Sequence, residues 1–482
     1  MTATPSEPVL AVDLDGTLIS SDMLHESFWA ALAHDRRQVQ QAAGAFVKGG
    51  RAALKEELAR GASIDVTRLP YKEVVLDEIR TRKAGGARVV LATASDRVLA
   101  EAVAAHLGLF DEVMASDGTV NLKGARKAEA LRERFGETGF AYIGDSSADL
   151  PVWAAAAEAI TVDAPDALRK QVSGDRVRHL ESAAAPTGKT RALLKALRPH
   201  QWLKNLLIFV PMLLAHDLAP VTVLSALVAF LAFSAVASSV YLLNDLLDLD
   251  ADRAHPRKRK RPFASGALPL QTGLWLAPGL LLAGFLMAAA LNPGFVLVIL
   301  FYYLCTLAYS LVLKRITVID ICMLAGLYTL RVIAGAVATQ ITPSVWLLGF
   351  SIFFFLALAA VKRQAELVDM VSEGRDKAAG RGYRMDDLPL VTMMALAAGY
   401  VSVLVAGLYL TSEEVAVLYS SPSFLWGICA VLIYWLSRIV MLTHRGRMDD
   451  DPIVFAVTDR VSLVCGVSVA ALLMLATWAP GF

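Results

Sequence analysis

The hydrophobic and polar positions divide the chain into two parts with different patterns. In residues 1–185, short apolar runs alternate with longer charged stretches, and 21–60, rich in Ala and Gln, predicts helix. The runs with the length of a buried strand, or part of one, are 8–13, 87–93, 140–144 and 161–162. Strands that alternate with helices form a parallel sheet covered by helices on both faces. This part therefore predicts a doubly wound α/β domain.

Residues 203–482 contain a series of long apolar runs instead. A helix needs about 20 apolar residues to cross the hydrocarbon core of a bilayer. The runs that approach or exceed that length are 203–219, 221–245, 269–291, 294–313, 317–340, 344–362, 388–411, 423–443 and 453–480. The sequence Asn292-Pro293-Gly294 divides the uncharged stretch 262–313 into a helical hairpin. We therefore predict an all-α polytopic membrane domain with about nine transmembrane helices.

The composition supports this division. The hydrophobic fraction of 56% and the mean hydropathy of +0.52 exceed what one soluble globule carries. We assign residues 1–181 to the α/β domain, the small-residue stretch 182–190 to a linker, and 191–482 to the membrane domain. All four cysteines lie in the apolar part, which predicts no disulfide framework and fits a reducing compartment. The net charge of +1 gives no indication of a nucleic-acid partner, and we expect none.

The Lys and Arg residues between the apolar runs predict the orientation in the membrane. Alternate connections contain neither residue: 216–222, 291–294, 340–344 and 411–424. The intervening connections hold the basic clusters: 253–261, 314–315, 362–384 and 445–447. Basic loops stay on the cytoplasmic side, and the N-terminus lacks the pattern of a signal peptide. We expect a multi-pass protein of the inner (plasma) membrane whose N-terminal domain and active sites face the cytoplasm.

Polar groups follow the predicted strands of the α/β domain in a characteristic order. Asp13 and Asp15 close the first strand, where open α/β sheets place their active groups. One carboxylate can attack phosphorus while the other moves a proton. The groups that follow later strands are Thr93, Lys127 (with Lys123 as the alternative cation), Asp145 and Asp149. The order predicts a site that binds and hydrolyses a phosphate ester.

These motifs, over about residues 8–180, resemble the haloacid dehalogenase-like (HAD) phosphatases. The resemblance implies that Asp13 is the nucleophile, that Asp15 is the acid/base, and that Thr93 and Lys127 bind phosphate. It also implies a Mg²⁺ site formed by Asp13, Asp15, Asp145 and Asp149. The segment between Asp15 and Ala87 would then form a helical cap. The alternative is a domain that keeps the phosphatase fold but has no catalytic activity.

A cluster of acids lies where the second apolar run ends. Asp245, Asp248 and Asp252 are spaced i, i+3 and i+7, which places them on one face of a helix. Carboxylates at a membrane boundary are costly to desolvate and need a partner. Mg²⁺ uses few carboxylates and completes its shell with water and substrate phosphates. We therefore predict a Mg²⁺–diphosphate site at the membrane surface.

Tyr241–Gly266, which contains these acids, resembles the first Asp-rich motif of the UbiA superfamily of intramembrane prenyltransferases. The second such motif should follow the sixth span, and there Glu366 and Asp369 stand beside Lys362 and Arg363. Residues 190–482 therefore resemble the decaprenyl-phosphate phosphoribosyltransferases. The resemblance rests on this departure and on further segments near residues 198–205, 308–320 and 331–339. The fused phosphatase-like domain is a departure from that family.

The resemblance implies transfer of phosphoribose from phosphoribosyl diphosphate to a polyprenyl (decaprenyl) phosphate, with Mg²⁺ and the acids Asp245, Asp248 and Asp252 at the leaving diphosphate. The candidate substrate-binding residues are Lys204, Asn244, Arg257, Lys258, Arg261, Lys314, Arg331, Lys362 and Arg363. The product would still carry a 5-phosphate, which the HAD-like domain is expected to remove, giving polyprenyl-phosphoryl ribose for arabinan or cell-wall synthesis. Neither a monomer nor an oligomer is favoured by the sequence.

Arg331 lies well inside a predicted span, where a charge costs a few kcal/mol. We favour phosphate binding over pairing with a buried acid or carbonyl, and Asp320 is its candidate partner or a further metal ligand. Three rival functions stay open. The first is an aromatic prenyltransferase that uses a polyprenyl diphosphate, against which Lys362 and Arg363 argue. The second is a non-catalytic docking role for the N-terminal domain. The third is a transporter, whose interrupted helices in repeated halves are not evident.

Overall fold

The computed structural model describes residues 9–61, 64–117, 120–182, 188–372, 374, 381–448 and 451–479. The chain forms two compact units, and each is described by itself. The first unit comprises Met1–Arg198 and Tyr241–Pro278, and the second comprises Pro199–Val240 and Gly279–Phe482. The domain boundaries inferred from the sequence stay a prediction, and residues 183–187 of the predicted linker lie outside the described part.

A six-stranded sheet forms the centre of the first unit. Its strands are β1 (Val9–Val12), β2 (Val89–Asp96), β3 (Glu112–Ser116), β4 (Phe140–Gly144), β5 (Glu158–Val162) and β6 (Val177–Leu180). All neighbouring pairs are parallel, in the order β3-β2-β1-β4-β5-β6. The winding reverses between β1 and β4, and such a switch point opens a crevice at the carboxyl ends of the strands. The predicted doubly wound α/β fold is confirmed.

Helices surround this sheet. They are α1 (Met23–His34), α2 (Arg36–Gly61), α3 (Glu73–Ala84), α4 (Arg97–Leu107), α5 (Ala125–Phe135), α6 (Leu150–Ala155), α7 (Asp166–Arg169) and α8 (Lys189–Leu197). The first three lie between β1 and β2, so the predicted insert is helical. Asp22 begins α1 by accepting hydrogen bonds from the backbone of Leu24 and His25. Lys55 of α2 donates to the carbonyl of Ala94 at 2.9 Å, which brings the insert to the end of β2.

Two of the strands were missed by the sequence pattern. The prediction contained β1, β2, β4 and part of β5, whose residues are almost all buried. The outer strands β3 and β6 lie at the two edges of the sheet and are largely half-buried or exposed. An edge strand packs on fewer neighbours, so its sequence does not need a continuous apolar run.

The remaining helices complete the chain. They are α9 (Val210–Leu214), α10 (Pro220–Leu247), α11 (Leu249–Ala254), α12 (Leu270–Leu291), α13 (Pro293–Leu311), α14 (Ile319–Thr339), α15 (Val345–Ser372), α16 (Leu388–Leu410), α17 (Glu413–Leu418), α18 (Trp426–His444), α19 (Pro452–Thr458) and α20 (Arg460–Trp478). Within the described residues, eight helices are long and apolar enough to cross a membrane: α10, α12 to α16, α18 and α20, with α16 and α18 each lengthened by a short 3₁₀ turn. The predicted all-α membrane architecture is confirmed, and the predicted number of nine spans was approximate.

The difference lies in the first predicted span, 203–219. The chain folds there as a 3₁₀ helix, Pro199–Phe209, followed by the five-residue α9. Pro211 lacks the backbone N–H that a continuous α-helix needs. Gly335 of α14 also permits a close approach, because a Cβ there would lie 2.0 Å from the carbonyl oxygen of Ile208. Pro211 and the close packing at Gly335 therefore explain why a 3₁₀ helix and the short α9 form here instead of the expected single α-helix.

Candidate functional site

The sheet-edge site, formed by Asp13, Asp15, Thr93, Lys127, Asp145 and Asp149, lies at the carboxyl ends of β1, β2 and β4. Asp13 follows β1 directly, and its carboxylate accepts from the backbone N–H of Leu14 at 2.9 Å. Asp145 follows β4 in the same way. Because β1 and β4 are hydrogen-bonded neighbours, both carboxylates reach the same crevice. The structure thus brings together the side chains that the sequence placed at separate strand ends.

Lys127 of α5 lies between two of these carboxylates. Its Nζ is 2.9 Å from Asp13 and 3.7 Å from Asp149, and it donates to the hydroxyl of Tyr142 at 2.8 Å. The Tyr142 hydroxyl in turn donates to Asp149 at 2.7 Å. All four side chains are buried. A buried cation held by hydrogen bonds is suited to stabilise negative charge on a phosphoryl group.

Three carboxylates of the site converge as a metal site requires. Ligand oxygens of Asp13, Asp145 and Asp149 lie within 4.8 Å of one another, and this is the one such group in the described part of the chain. Gly16 is needed beside them, because its φ is +74° and a Cβ would lie 2.2 Å from Asp145. The predicted ligand Asp15 is not part of this group. The three oxygens fit a hard cation such as Mg²⁺.

Asp15 instead belongs to a hydrogen-bonded loop that follows β1. It accepts from the backbone N–H of Met23 at 2.8 Å and from the hydroxyl of Ser95. Thr93 is fully buried, and its hydroxyl accepts from the backbone N–H of Ser95 at 3.0 Å. These contacts orient Asp15 from both β2 and α1.

Burial changes the acidity of the site. It raises the pKa of Asp15 to about 7, with a further contribution from the charge of Asp22. It also raises the pKa of Asp145 to about 7, where the charge of Asp13 adds to the effect. The pKa of Asp13 is raised by burial and lowered in part by Lys127. Mutual repulsion of this kind is relieved when a cation binds.

Sequence reasoning missed Tyr142 and Ser95. Tyr142 sits within β4 as one more apolar position, and only the folded structure shows its hydroxyl bridging Lys127 and Asp149. Ser95 lies two residues after Thr93, and this spacing was an available but weak signal. Each of the two residues contacts a predicted site residue through its hydroxyl.

The acidic segment, residues 244–252, joins the end of α10 to α11 in the first unit. The α-helix is interrupted at Asp248, but backbone hydrogen bonds continue through it, from Asp248 to Asn244 at 2.9 Å and from Asp252 to Asp248 at 2.8 Å. Asp245, Asp248 and Asp252 therefore lie largely on one face, as the spacing predicts. Asp245 and Asp252 are buried and Asp248 is half-buried.

Arginines satisfy most of this buried negative charge. Arg261 contacts Asp245 at 3.1 Å and Asp252 at 2.6 Å, and Arg198 also pairs with Asp245. The second carboxylate oxygen of Asp245 is buried and has no hydrogen-bond partner. Burial raises the pKa of Asp252, against the opposing effect of Arg261. An orphaned buried carboxylate oxygen is a group that a cation would satisfy, so the segment fits Mg²⁺ at Asp245.

The other polar candidates are more exposed than Asp245 and Asp252. Arg257 and Lys258 are exposed, while Asn244 and Lys314 are half-buried. No ion pair joins Arg257, Lys258 or Lys314 to a carboxylate within the residues that the structure describes. Their predicted roles in substrate binding stay predictions.

In the second unit, one carboxylate is shared by two lysines. Lys204 pairs with Asp451, and the Nζ of Lys362 lies 3.5 Å from the same carboxylate. Burial disfavours the ionised form of Asp451, but Lys362 and Lys204 together hold its pKa below the ordinary value. Asp451 was missed because it lies far along the chain, in a connection for which only the basic residues Arg445 and Arg447 were considered. Two lysine ammonium groups at one carboxylate are candidates for binding an anion.

Arg363 belongs to a separate network in the same unit. It is fully buried, contacts Asp320 at 2.7 Å and pairs with Glu366. Arg381, another residue that sequence reasoning missed, contacts Asp320 at 3.0 Å and Glu366 at 3.1 Å. The suggested pairing of Asp320 with Arg331 is therefore wrong, since two other arginines occupy this carboxylate.

Arg331 has neutral partners. Its guanidinium donates to the side-chain oxygen of Asn205 at 2.9 Å, to the carbonyl of Leu327 at 2.5 Å and to the hydroxyl of Tyr302 at 3.3 Å. Three aromatic rings lie within 5.6 Å of it, and only 5% of the residue is exposed. These contacts match the alternative in which Arg331 pairs with a carbonyl. They give no support to phosphate binding by Arg331.

Two family models match the chain. The model described as UbiA prenyltransferase family matches residues 205–464, and the model described as haloacid dehalogenase-like hydrolase matches residues 10–153. The sequence is 40% identical over 473 residues to the uncharacterized protein y4nM of Sinorhizobium fredii, covering 97% of this chain and 90% of that protein.

Two further similarities cover shorter parts of the chain, and the second of them lies in the UbiA part. The sequence is 38% identical over 272 residues to the nodulation protein NoeC of Azorhizobium caulinodans, covering 56% of this chain and 88% of the relative. It is 41% identical over 192 residues to the decaprenyl-phosphate phosphoribosyltransferase of Mycolicibacterium smegmatis, covering 39% of this chain and 60% of the relative.

Proposed function

Because the chain belongs to the UbiA prenyltransferase family and carries a haloacid dehalogenase-like domain ahead of that region, we propose that it is a bifunctional membrane enzyme. Its first reaction transfers phosphoribose from phosphoribosyl diphosphate to a polyprenyl phosphate. Its second removes the 5-phosphate and leaves polyprenyl-phosphoryl ribose. The eight apolar helices and the family make it a multi-pass membrane protein, and we place both active sites on the cytoplasmic face of the inner membrane.

One observation carries the proposal: the sheet-edge site and the acidic segment belong to the same compact unit. The first has the groups for cleaving a phosphate monoester, and the second has buried carboxylates at the end of an apolar helix. The 41% identity to a decaprenyl-phosphate phosphoribosyltransferase supports the choice of donor and acceptor. Lys362, which stands where the related pattern is Asp-rich, also supports a more anionic substrate pair, whereas Arg363 is already paired with Asp320 and Glu366.

In the transfer reaction, an oxygen of the lipid phosphate attacks C1 of the ribose. The bond between C1 and the diphosphate oxygen breaks, and diphosphate leaves with the bonding electrons. Asp245, with Asp248 and Asp252, would hold Mg²⁺, which would supply charge neutralisation for the leaving diphosphate. We assign Lys204 and Lys362, which share Asp451, to phosphate binding.

In the hydrolytic reaction, the Asp13 carboxylate attacks the phosphorus of the 5-phosphate. The ester bond breaks, and Asp15 donates its proton to the ribose oxygen. Asp15 then takes a proton from water as that water attacks the phosphoaspartate, which frees Asp13 and phosphate. Lys127, 2.9 Å from Asp13, offsets the charge on the phosphoryl oxygens. We assign Asp13, Asp145 and Asp149 to a second Mg²⁺.

The test is an analysis of lipid products by mass spectrometry. Purified protein in detergent receives Mg²⁺, decaprenyl phosphate and phosphoribosyl diphosphate, and a parallel sample receives decaprenyl diphosphate and an aromatic acceptor. We expect decaprenyl-phosphoryl ribose from the first mixture, no product from the second, and a loss of product in Asp245→Asn. A prenylated aromatic product, with no ribosylated lipid, would replace this proposal by the aromatic prenyltransferase.

A further inference from the structure

A cavity in the first unit lies apart from the groups assigned above. It has a volume of about 860 Å³ and is lined by Thr67, Arg68, Pro70, Arg191, Ala192, Lys195, Arg253, Arg259, Lys260, Pro262, Ala264, Ser265 and Ala267. We call it the basic cavity. Small-molecule sites have volumes of roughly 300–1,000 Å³. The volume therefore fits a ligand the size of a sugar phosphate.

The charges around the basic cavity have one sign. Six of its lining residues are Arg or Lys, and no lining residue in the described part of the chain is acidic. Arg253 is neutralised by Glu26, which it contacts at 2.7 and 3.0 Å, and Arg68 pairs with Asp65 at 3.0 Å. No carboxylate within the described residues pairs with Arg191, Arg259 or Lys260. A concave surface with unpaired cations attracts anions and concentrates them.

The cations come from three separate parts of the chain. Arg68 lies between α2 and α3 of the helical insert, Arg191 and Lys195 belong to α8, and Arg259 and Lys260 follow the acidic segment. Short cytoplasmic loops gather Lys and Arg for membrane orientation alone. That explanation covers Arg259 and Lys260 and extends to α8, which lies just before Pro199, but it does not account for Arg68 of the helical insert lining the same cavity. Convergence from distant positions indicates a binding site.

The walls of the basic cavity are fixed to one another. Lys195 donates to the carbonyl of Lys260 at 2.8 Å, which joins α8 to the segment after α11. The buried Arg253 donates to the carbonyl of Ala264 at 3.1 Å. At Gly266, with φ +74°, a Cβ would lie 2.5 Å from Ser20 and 3.3 Å from Pro70, so only glycine permits this approach. Such walls are pre-organised and need little ordering when a ligand binds.

We propose that the basic cavity binds a ribose phosphate group through Arg191, Arg259 and Lys260. Guanidinium and ammonium groups form charge-assisted hydrogen bonds with phosphate oxygens. The group is either part of a free sugar phosphate or the headgroup of a lipid, and both present the same phosphate chemistry. The choice of ribose rests on the proposed function, whereas the choice of phosphate rests on the cavity alone.

Binding is measured by calorimetry on full-length Asp13→Asn protein in EDTA, so that neither hydrolysis nor bound Mg²⁺ contributes. The free probe is ribose 5-phosphate. The lipid probe is a nanodisc that contains phosphatidic acid, compared with one of phosphatidylcholine. The variant is R191Q/R259Q/K260Q, and its matched control is R132Q/R176Q/K170Q, which neutralises exposed residues of the same types outside the cavity.

We expect the cavity variant to weaken binding of one of the two probes by about tenfold or more, since it removes the charge-assisted hydrogen bonds to the phosphate. A loss for ribose 5-phosphate identifies a free sugar phosphate, and a loss for the phosphatidic acid nanodisc identifies a lipid headgroup. Ala267→Trp fills the cavity without a change of charge and is expected to reproduce the loss. It also covers the case in which the triple variant does not fold.

Equal affinities in wild type and both cavity variants, or an equal loss in the control, would overturn the proposal. This result is distinct from failure of the proposed function. If the protein makes decaprenyl-phosphoryl ribose while the cavity variants bind both probes normally, the basic cavity is wrong and the function stands. If ribosylated lipid never forms but the variants lose phosphate binding, the site stands and the function is wrong.

Discussion

At the scale of single residues, the proposed hydrolysis requires Asp15 to keep a proton near neutral pH. Burial is the main cause of its pKa of about 7, and the carboxylate of Asp22 adds to the shift. Ser95 and the backbone of Met23 hydrogen-bond Asp15 and act in the opposite direction. A carboxyl group with this pKa can donate a proton to a leaving oxygen and then accept one from water.

This acidity gives a prediction for pH dependence. Because Asp15 must be protonated to act as the acid, we expect kcat of the phosphatase reaction to fall as pH rises through about 7. Asp22→Asn removes a negative charge that favours the protonated form, so the fall should move to lower pH. Asn caps a helix as well as Asp does, so α1 should keep its start. The measurement is kcat against pH with saturating Mg²⁺ and a phosphomonoester.

The control for this experiment is Asp35→Asn, which changes another capping carboxylate, one that accepts from the backbone of Arg37. We expect the control to keep the wild-type profile. The assignment of Asp15 as the acid would be contradicted by an Asp22→Asn profile that coincides with that of the wild type.

The convergence of the sheet-edge residues could be predicted from the sequence, but their hydrogen-bond partners could not. Asp13, Lys127 and Asp145 follow strand ends, and parallel pairing brings such positions together in any fold of this type. The bridge made by Tyr142 depends on which face of β4 its side chain occupies and on the position of α5. Packing sets both, and the local pattern does not record them.

At the scale of elements, a buried ion pair joins α1 to α11. Arg253 contacts both carboxylate oxygens of Glu26, at 2.7 and 3.0 Å, and the hydroxyl of Ser21 also donates to Glu26. Glu26 and Arg253 are each less than 10% exposed. The pair connects the helix that follows the nucleophile loop to the helix that carries Asp252. Neither residue was singled out from the sequence, because their separation of more than 200 positions gives no local signal.

Removing one partner of this pair should destabilise the protein strongly. We expect Glu26→Ala to lower the free energy of unfolding by about 3–5 kcal/mol, because it leaves a buried guanidinium without a counter-charge. The double variant Glu26→Leu/Arg253→Met should recover most of that loss, since buried pairs replaced by apolar groups are often neutral. Thermal unfolding followed by circular dichroism is the measurement. A double variant whose loss equals the sum of the two single losses would show that the residues do not interact.

The segment Pro199–Leu214 decides the membrane topology. Its 3₁₀ part of 11 residues rises by about 2.0 Å per residue and its five α-helical residues by about 1.5 Å. The segment thus spans roughly 30 Å, which matches the hydrocarbon thickness. We propose that it crosses the bilayer although it is not one α-helix. In this proposal the length of the apolar run predicts the crossing, whereas the sequence pattern did not predict the 3₁₀ helix.

Labelling with a membrane-impermeant maleimide tests this topology. In a background without the four native cysteines, we expect Leu218→Cys, at an exposed position after α9, to react in intact cells. Arg447→Cys, at an exposed position after α18, should react only after permeabilisation. Protection of position 218 in intact cells, with reaction after permeabilisation, would show that Pro199–Leu214 does not cross.

At the scale of the whole molecule, the chain combines a haloacid dehalogenase-like domain with a UbiA family region. The order of these regions, the parallel sheet and the apolar helices could all be predicted, because each follows from periodicity within a short window. The grouping of Tyr241–Pro278 with the N-terminal part could not. It depends on contacts such as Glu26 with Arg253 and on the glycine at position 266, which join residues far apart in sequence.

The central claim is that one chain makes a lipid-linked ribose phosphate and then removes its phosphate. The most direct measurement is the lipid product of Asp13→Asn, identified by mass spectrometry after incubation with Mg²⁺, decaprenyl phosphate and phosphoribosyl diphosphate. The account predicts that this variant accumulates the 5-phosphorylated lipid while the wild type yields the dephosphorylated form. Identical products from the two proteins, or no ribosylated lipid from either, would contradict it.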